Sequence, residues 1–388
     1  GVNITGICTA TSFSGSGEGL TRTSQFSHRN MIINGDMRVA QRATSKTGLP
    51  NSGNTIDVCD RWGYSRNGPT ATLARVEEVP SGQGFKYSLK LTNTSPVGSI
   101  AAGNMYSFTY KIERQDVQRL GYGSSNAKSA TISFWVKGSL SGKIGIKCDR
   151  NSKIFSTNVD IVANTWKFVE VLIPADTSTA LSGTDTDNGF DISIVAGAGG
   201  NFTSGTTGGG WINFHTAYAA GFTAGQQGAY LTTNGSTFQI TAVQLEVGSQ
   251  STPFEHIPFI DELARCQRYA YRLGGLSKQY QCVATGFIGH NGSTDTGKVI
   301  VHLPTTMRTN PSISVIGTNA FWVHTGGAET GTSDMDAQFG APWNSASSGN
   351  QVWLDFARTG GGSPNRGVAC VVYTKSNNQG ELLFDADL

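Results

Sequence analysis

The side chains in this chain best suited to chemistry are aromatic, and the chemistry they suit is contact rather than catalysis. Trp211 stands in Gly208-Gly-Gly-Trp-Ile-Asn-Phe-His215, just after a glycine run, and Trp322 with His324 in Phe321-Trp-Val-His324. Trp343 stands in Gly340-Ala-Pro-Trp-Asn344, within a long stretch that has no strand pattern. A tryptophan on or beside a loop offers a flat apolar face with a polar handle, suited to stacking on a ring-shaped ligand. Trp211, Trp322, His324 and Trp343 are therefore the candidate contact residues.

Reacting groups are not assembled in any recognisable pattern. The chain has no Gly-x-Ser-x-Gly elbow, no His-Glu-x-x-His, no phosphate-binding loop and no dinucleotide fingerprint. Glu170, Glu246, Asp334, Asp336 and Asp355 are scattered, and hydrolysis of a glycosidic bond needs two carboxylates facing one another. No enzymatic role is expected; these scattered acids read as solvated, with Glu246 part of the scaffold. The histidines are dispersed, with His290 and His302 too far apart to suggest a metal pair. Cysteines at 8, 59, 148, 266, 282 and 370 form no close pair, so reduced, buried thiols are expected rather than zinc ligands or disulfides. Asp60-Arg61-Trp62 reads as scaffold, with Trp62 in the core and Asp60 paired with Arg61. Trp135 and Trp166 alternate with core residues and read as packing.

The elements that hold these residues are strands. Phe238 to Val247 alternates with period two but changes phase near Thr241 to Val243, which predicts a strand with a bulge or bend. Gly248-Ser-Gln-Ser-Thr stops it, and Pro253 and Pro258 hold the following residues extended. Further strands are expected at 71–79, 85–92, 104–112, 128–137, 143–149, 153–161, 165–173, 189–196, 210–217 and 227–231, with a brief helical turn from Gln115 to Leu120. In 128–137, Ile132, Phe134 and Val136 share one face. Asn30 to Arg42 reads as a strand, an Asn34-Gly35 turn and an extended segment, and 43–59 as polar loop. At Ile260, Leu263, Ala264, Gln267, Ala270 and Tyr271 the period turns helical, predicting a helix over 261–272 ended by Gly274-Gly275. Beyond it the strand pattern resumes at 279–288, 297–303, 311–317, 320–324, 351–358, 367–374 and 380–385.

The fold class expected is all-β: an extended N-terminal arm over 1–29, a jelly-roll sandwich over 30–257, then a short helix opening a second, sandwich-like β domain over 258–388. The composition agrees, with 50 Gly among 388 residues and 19 Phe, 11 Tyr and 7 Trp, too aromatic for disorder. A net charge of +2 leaves no electrostatic footprint for nucleic acid or an anionic membrane. No apolar run is long enough to span a bilayer, and Gly1-Val-Asn-Ile-Thr has neither the basic start nor the apolar core of a secretory signal. The arm buries too little to fold alone; it reads either as a linker or as one strand of a wound shaft.

Taken in order, Asn30-Met-Ile-Ile-Asn-Gly-Asp-Met37, Cys59-Asp-Arg-Trp62, Ala130-Thr-Ile-Ser-Phe-Trp-Val-Lys137, Asn164-Thr-Trp166, Gln244-Leu-Glu-Val-Gly248, Pro253-Phe-Glu-His256 and Glu262-Leu-Ala-Arg-Cys-Gln-Arg-Tyr269 resemble a widespread class of phage and prophage tail or virion fibre proteins. Ile7-Cys-Thr-Ala-Thr-Ser-Phe-Ser-Gly-Ser-Gly17 in the arm resembles a short repeat of such fibres. The sandwich is similar to carbohydrate-binding jelly rolls. The resemblance implies a homotrimer located in the virion, anchored to other virion proteins through the arm and recognising a host-surface polysaccharide. It also implies Asn34 and Asp36 as oxygen donors of a structural calcium, but Thr241-Ala242 occupies the place where such jelly rolls carry the strand-borne Asp, so no cofactor is expected. Two other functions fit the same residues: the carbohydrate-binding region of a secreted glycan-degrading enzyme, and a virion decoration that binds no glycan.

Overall fold

The computed structural model describes residues 28–49, 52–56, 58–150, 153–203, 209–213, 228–274, 281–289, 296–317, 320–325, 335–342, 350–359, 367–375 and 380–387. The arm up to residue 27, Trp343 and residues 214–217 of the expected strand 210–217 lie outside them.

The first unit runs β1 (Ser45–Leu49), β2 (Ser52–Thr55), β3 (Gly63–Asn67), β4 (Thr70–Val76), β5 (Ser88–Ser95), β6 (Met105–Glu113), α1 (Arg114–Val117) and a 3-10 turn (Gln118–Leu120). It continues with β7 (Ala130–Gly138), β8 (Gly142–Arg150), β9 (Lys153–Ile161), β10 (Lys167–Ile173), β11 (Asn188–Ala198), α2 (Gly200–Thr203), β12 (Ile212–Asn213), α3 (Ala229–Thr232) and β13 (Thr237–Val247). Six strands in the order β1-β4-β5-β13-β7-β10 form one antiparallel sheet, and seven in the order β12-β9-β8-β11-β6-β3-β2 form the other. The chain passes repeatedly between them, as β5 to β6, β6 to β7, β9 to β10 and β10 to β11, giving a jelly-roll sandwich. Alternation builds the core. Ile132, Phe134 and Val136 of β7 meet Phe108 and Tyr110 of β6 and Ile192 and Ile194 of β11 in one buried cluster.

The expected break in β13 is a bulge. Its pairing with β7 shifts between Thr241 and Gln244, and Ala242 takes the left-handed conformation at φ 55°. The Asn30–Met37 stretch plugs this irregularity: Val243 N–H donates to the Gly35 carbonyl at 2.9 Å, Leu245 N–H to Asn30 Oδ1 at 3.0 Å, and Met31 N–H to the Leu245 carbonyl at 2.9 Å. It is a turn rather than the expected strand, because its polar backbone spends its bonds on the bulge. Asn34 staples the same loop by donating to the Val39 carbonyl at 2.8 Å and the Asp60 carbonyl at 2.9 Å.

Three expectations need correction. The expected strand 227–231 contains instead the helical turn α3, which packs Tyr230 and Leu231 into the core. The expected helix 261–272 is α4 (Phe259–Gln267), and Ala270–Gly274 forms β14. Pairing with a distant strand outweighs the helical period there, since Tyr271 and Leu273 sit opposite Phe384 and Leu382. Within 43–59, expected as polar loop, β1 and β2 form as edge strands.

The second unit adds β15 (Cys282–Ile288), β16 (Thr296–His302), β17 (Ser312–Ile316), β18 (Phe321–Thr325), β19 (Met335–Pro342), β20 (Gln351–Thr359), β21 (Ala369–Thr374) and β22 (Glu381–Asp385). It takes the form of a closed six-stranded barrel, β15-β16-β20-β19-β18-β21, beside a three-stranded sheet, β14-β22-β17. Closure leaves the barrel without free edges. Val299, Phe321, Val323, Leu354, Phe356 and Val372 belong to the shared core.

Arginines join the units. Arg42 meets Asp385 and Asp387, Arg61 meets Asp387 at 2.7 Å, and Arg268 binds Glu113 through two 2.8 Å bonds. Arg308 donates to the carbonyls of Thr186, Ala386 and Asp387 at 2.9, 2.7 and 2.9 Å.

Candidate functional site

On β7, residues of the parity opposite to the core face outward, and on the neighbouring strands the same rule selects Phe168 and Thr241. Trp135 stands directly between them, opposite Phe168 of β10 on one side and Thr241 of β13 on the other. Two segments, residues 77–87 and 248–256, cross this outer face and leave a cleft of about 430 Å³ between them. Ser133, Trp135, Phe168 and Ala242 form its floor. Gln83 and Phe85 line one wall. Thr252, Pro253, Phe254 and His256 line the other.

Each wall is tied down by polar groups that lie under it. The Glu78 carboxylate accepts from Lys137 Nζ at 2.6 Å and Gln239 Nε2 at 3.0 Å, with Lys90 Nζ at 3.4 Å. The hydrogen bond from Lys137, followed by that from Gln239 and the charge of Lys90, pulls its carboxyl down to about 2 against the opposing effect of burial. Thr241 Oγ1 donates to the Tyr87 carbonyl at 2.6 Å. On the other side, Glu246 accepts from the backbone N–H and the hydroxyl of Thr252 at 2.7 and 2.8 Å. Glu255 N–H donates to Gln244 Oε1 at 2.9 Å, and Glu170 accepts from the backbone N–H of Ser251 at 2.9 Å. Glu170 and Glu246 are thus wall supports, holding Ser251 and Thr252 in place.

The upper part of the cleft is aromatic as well. Phe85 meets Phe254 edge-on at 5.3 Å and stacks on His256 at 5.5 Å, so one ring from the first wall bridges two from the second. On the floor the Trp135 and Phe168 rings lie 5.5 Å apart and tilted by 54°, and Phe168 is 45% exposed. Among the described residues, no hydrogen bond occupies the Trp135 indole N–H, the Ser133 hydroxyl, the Gln83 carboxamide or the His256 ring. Aromatic faces that can stack, ringed by unfilled donors and acceptors, suit a ligand with one apolar face and a hydroxylated edge.

Of the residues the sequence nominates, Trp322 and His324 do come together, on the outer face of β18 between the buried Phe321 and Val323. Trp322 meets Tyr373 edge-on at 5.8 Å with Lys375 Nζ 5.7 Å from its ring centre. Trp211 is placed elsewhere, in the sandwich, among Tyr122, Phe155 and Phe190, with its N–H donating to the Pro174 carbonyl at 2.7 Å. Trp343 lies outside the described residues. The sequence reading of Trp135 as packing passes over the floor of the cleft. The signal was there: Trp135 and Phe168 have the wrong parity for their strands' own apolar stripes.

Other groupings are committed to the scaffold. Trp62 is buried, its N–H donating to the Asn34 carbonyl at 2.9 Å and its ring 4.9 Å from Tyr110. Asp60 and Arg61 do not pair with each other: Asp60 takes Gln41 N–H at 2.9 Å, while Arg61 reaches Asp387 and lies 3.5 Å from the Tyr269 ring centre. Burial pushes the Asp60 carboxyl up to about 6 in spite of Arg42. Asp36 pairs with Arg38, and no cluster of three His, Cys, Asp or Glu able to hold a metal occurs among the described residues. Cys59, Cys148, Cys266 and Cys370 are buried free thiols, whereas Cys282 is exposed. A second cleft of about 410 Å³ lies between α1 and α4, but its guanidinium groups are occupied, Arg268 by Glu113 and Arg119 by the His28 carbonyl at 2.7 Å.

No protein-family model matches the chain, and no curated protein does. Among solved structures it is similar to the enzymatically active domain of bacteriophage CBA120 tailspike protein 4, at 14% identity and a TM-score of 0.30, over 57% of this chain and 22% of that one. It is also similar to a putative sugar binding protein from Bacteroides thetaiotaomicron, at 14% identity and a TM-score of 0.30, over 56% of this chain and 100% of that one. A third is the family 11 carbohydrate-binding module of a Clostridium thermocellum cellulosomal cellulase, at 14% identity and a TM-score of 0.24, over 52% of this chain and 99% of that one.

Proposed function

We propose that this chain is a glycan-binding attachment protein of a phage virion, and that it grips sugar in the cleft floored by Trp135 and Phe168. The observation that carries the sugar reading is the pairing of an exposed aromatic floor with four unfilled polar groups around it. A pyranose ring presents C–H bonds on its faces and hydroxyls around its rim, which matches that arrangement. A binding role is the reading taken because the described lining offers aromatic faces and uncharged polar groups.

The virion assignment is supported by the ordered fibre-like motifs, several of which hold the scaffold of the site. Asn30–Met37 plugs the β13 bulge, Gln244 and Glu246 support one wall, and Pro253–His256 forms it. In this reading the chain is a homotrimer, its arm engages other virion proteins, and its partner on the cell is a surface polysaccharide. Three shallow clefts acting together give adsorption without a deep pocket in any one chain.

The test is titration of the purified chain against an array of bacterial surface glycans. Trp135→Ala is expected to weaken binding about tenfold, or ~1.4 kcal/mol, while the sedimentation of the assembly is unchanged. Unaltered glycan binding by Trp135→Ala would move the site elsewhere, with the Trp322–His324 face next to be tried. Failure of both chain and particle to adsorb to cell-surface polysaccharide ends the attachment reading.

A further inference from the structure

We infer that the cleft selects neutral glycan segments and rejects those carrying carboxylate or sulfate, an inference that rests on the glycan reading above. Among the described residues its lining has aromatic, amide, hydroxyl and imidazole groups and no lysine, arginine, aspartate or glutamate. A charged sugar entering it would lose part of its hydration to apolar walls and find no counter-charge in return.

The surroundings add repulsion. Glu246 lies immediately behind Thr252 of one wall, and Glu170 holds Ser251 of the same wall from the exposed edge strand β10. Lys86, in the segment of the first wall, pairs with Glu77 at 3.8 Å, and four other nearby cations are committed to holding the walls. Lys137 and Lys90 are bound to Glu78, and Arg38 is bound to Asp36 and donates to the Ile257 carbonyl. Arg29 donates to the Pro253 carbonyl and lies 3.8 Å from Glu246. Recruiting any of them to a sugar acid would unfasten a wall. A neutral sugar meets none of this: its hydroxyls find Ser133, Gln83, His256 and the Trp135 N–H, and its C–H face finds Trp135 or Phe168.

Matched oligomers separate the two classes, because galactose and galacturonate differ only in the acid at one carbon. Isothermal titration at about pH 8 would compare glucose, mannose and galactose oligomers with galacturonate and sulfated galactose oligomers of the same length. The expected result is binding of at least one neutral series, with its acidic counterpart tenfold or more weaker. The substitution Glu170→Gln keeps an acceptor for Ser251 while removing the charge; it is expected to narrow the gap between the acidic and the neutral series several-fold. Equal or stronger binding of an acidic series, lost on Phe168→Ala, overturns neutral selection but leaves the glycan site standing. Silence of every sugar, with the exposed-site variant Phe168→Ala indistinguishable from the parent, takes down the glycan reading and this inference with it.

Discussion

Asp149 of β8 and Asp191 of β11 stand directly opposite one another across the seven-stranded sheet. Burial, reinforced by the Asp149 charge, pushes the Asp191 carboxyl up to about 7, against the opposing effects of Asn188 and Lys147. The folded chain therefore holds a proton at this pair that the unfolded chain releases near pH 4. Stability falls as pH rises from about 4 to about 7, and the loss is complete above that window. Asp191→Asn removes the titration. It is expected to raise the melting temperature at about pH 8 by several degrees and to leave it nearly unchanged at about pH 4. An equal gain at both pH values would show that the pair does not share a proton. The same scale explains what could be read of the site from sequence. Trp62 was recognisable as scaffold from its setting, and the structure buries it. Trp135 needed one further step, since its strand's even-numbered residues already fill the core and an odd-numbered tryptophan must face out. Trp211 misled because its glycine-rich approach signals exposure, whereas its partners Tyr122, Phe155 and Phe190 come from three distant segments that no local pattern connects.

At the scale of elements, the bulge in β13 shapes both faces of the six-stranded sheet. It sets Ala242 into the cleft floor and at the same point admits the Asn30–Met37 loop. Gly35 is the closest approach: a Cβ built there lies 2.1 Å from the Val243 carbonyl oxygen, which is backbone and has nowhere to go. Gly35→Ala must push the loop off the strand and break the Val243-to-Gly35 hydrogen bond. A loss of about 2 kcal/mol or more is expected by urea denaturation. Stability within ~0.5 kcal/mol of the parent would mean that the loop is not wedged against the bulge. This element was legible because a phase change in an otherwise strict alternation has few other causes. The strands missed by that reading, β1 and β2, carry a single apolar residue, Leu49, among Ser, Gly, Asn, Lys and Thr, so there was no apolar stripe to detect. The helix overran because Ala270 and Tyr271 satisfy a helical period and a strand period equally well, and only β22, more than a hundred residues later, decides between them.

Across the whole molecule, the two units are fastened through Asp385 and Asp387. Asp387 lies between Arg42 and Arg61, whose side chains are 7% and 1% exposed, and its own carbonyl accepts from Arg308. Arg61 is also sandwiched near the Tyr110 and Tyr269 rings, one from each side of the boundary, at 5.2 and 3.5 Å. None of this is visible to a local reading, because Arg42 and Asp387 are 345 residues apart and each alone looks like an ordinary surface charge. Removing one member of a buried ion cluster leaves the others desolvated and unpaired, which typically destabilises by about 3–5 kcal/mol. The parent chain is expected to unfold in a single calorimetric transition with the sandwich and the barrel coupled. In Asp387→Ala the barrel transition is expected to separate from that of the sandwich and move to lower temperature. A single transition displaced as a whole would show instead that contacts such as the Arg268–Glu113 pair hold the units together without the C-terminal clamp.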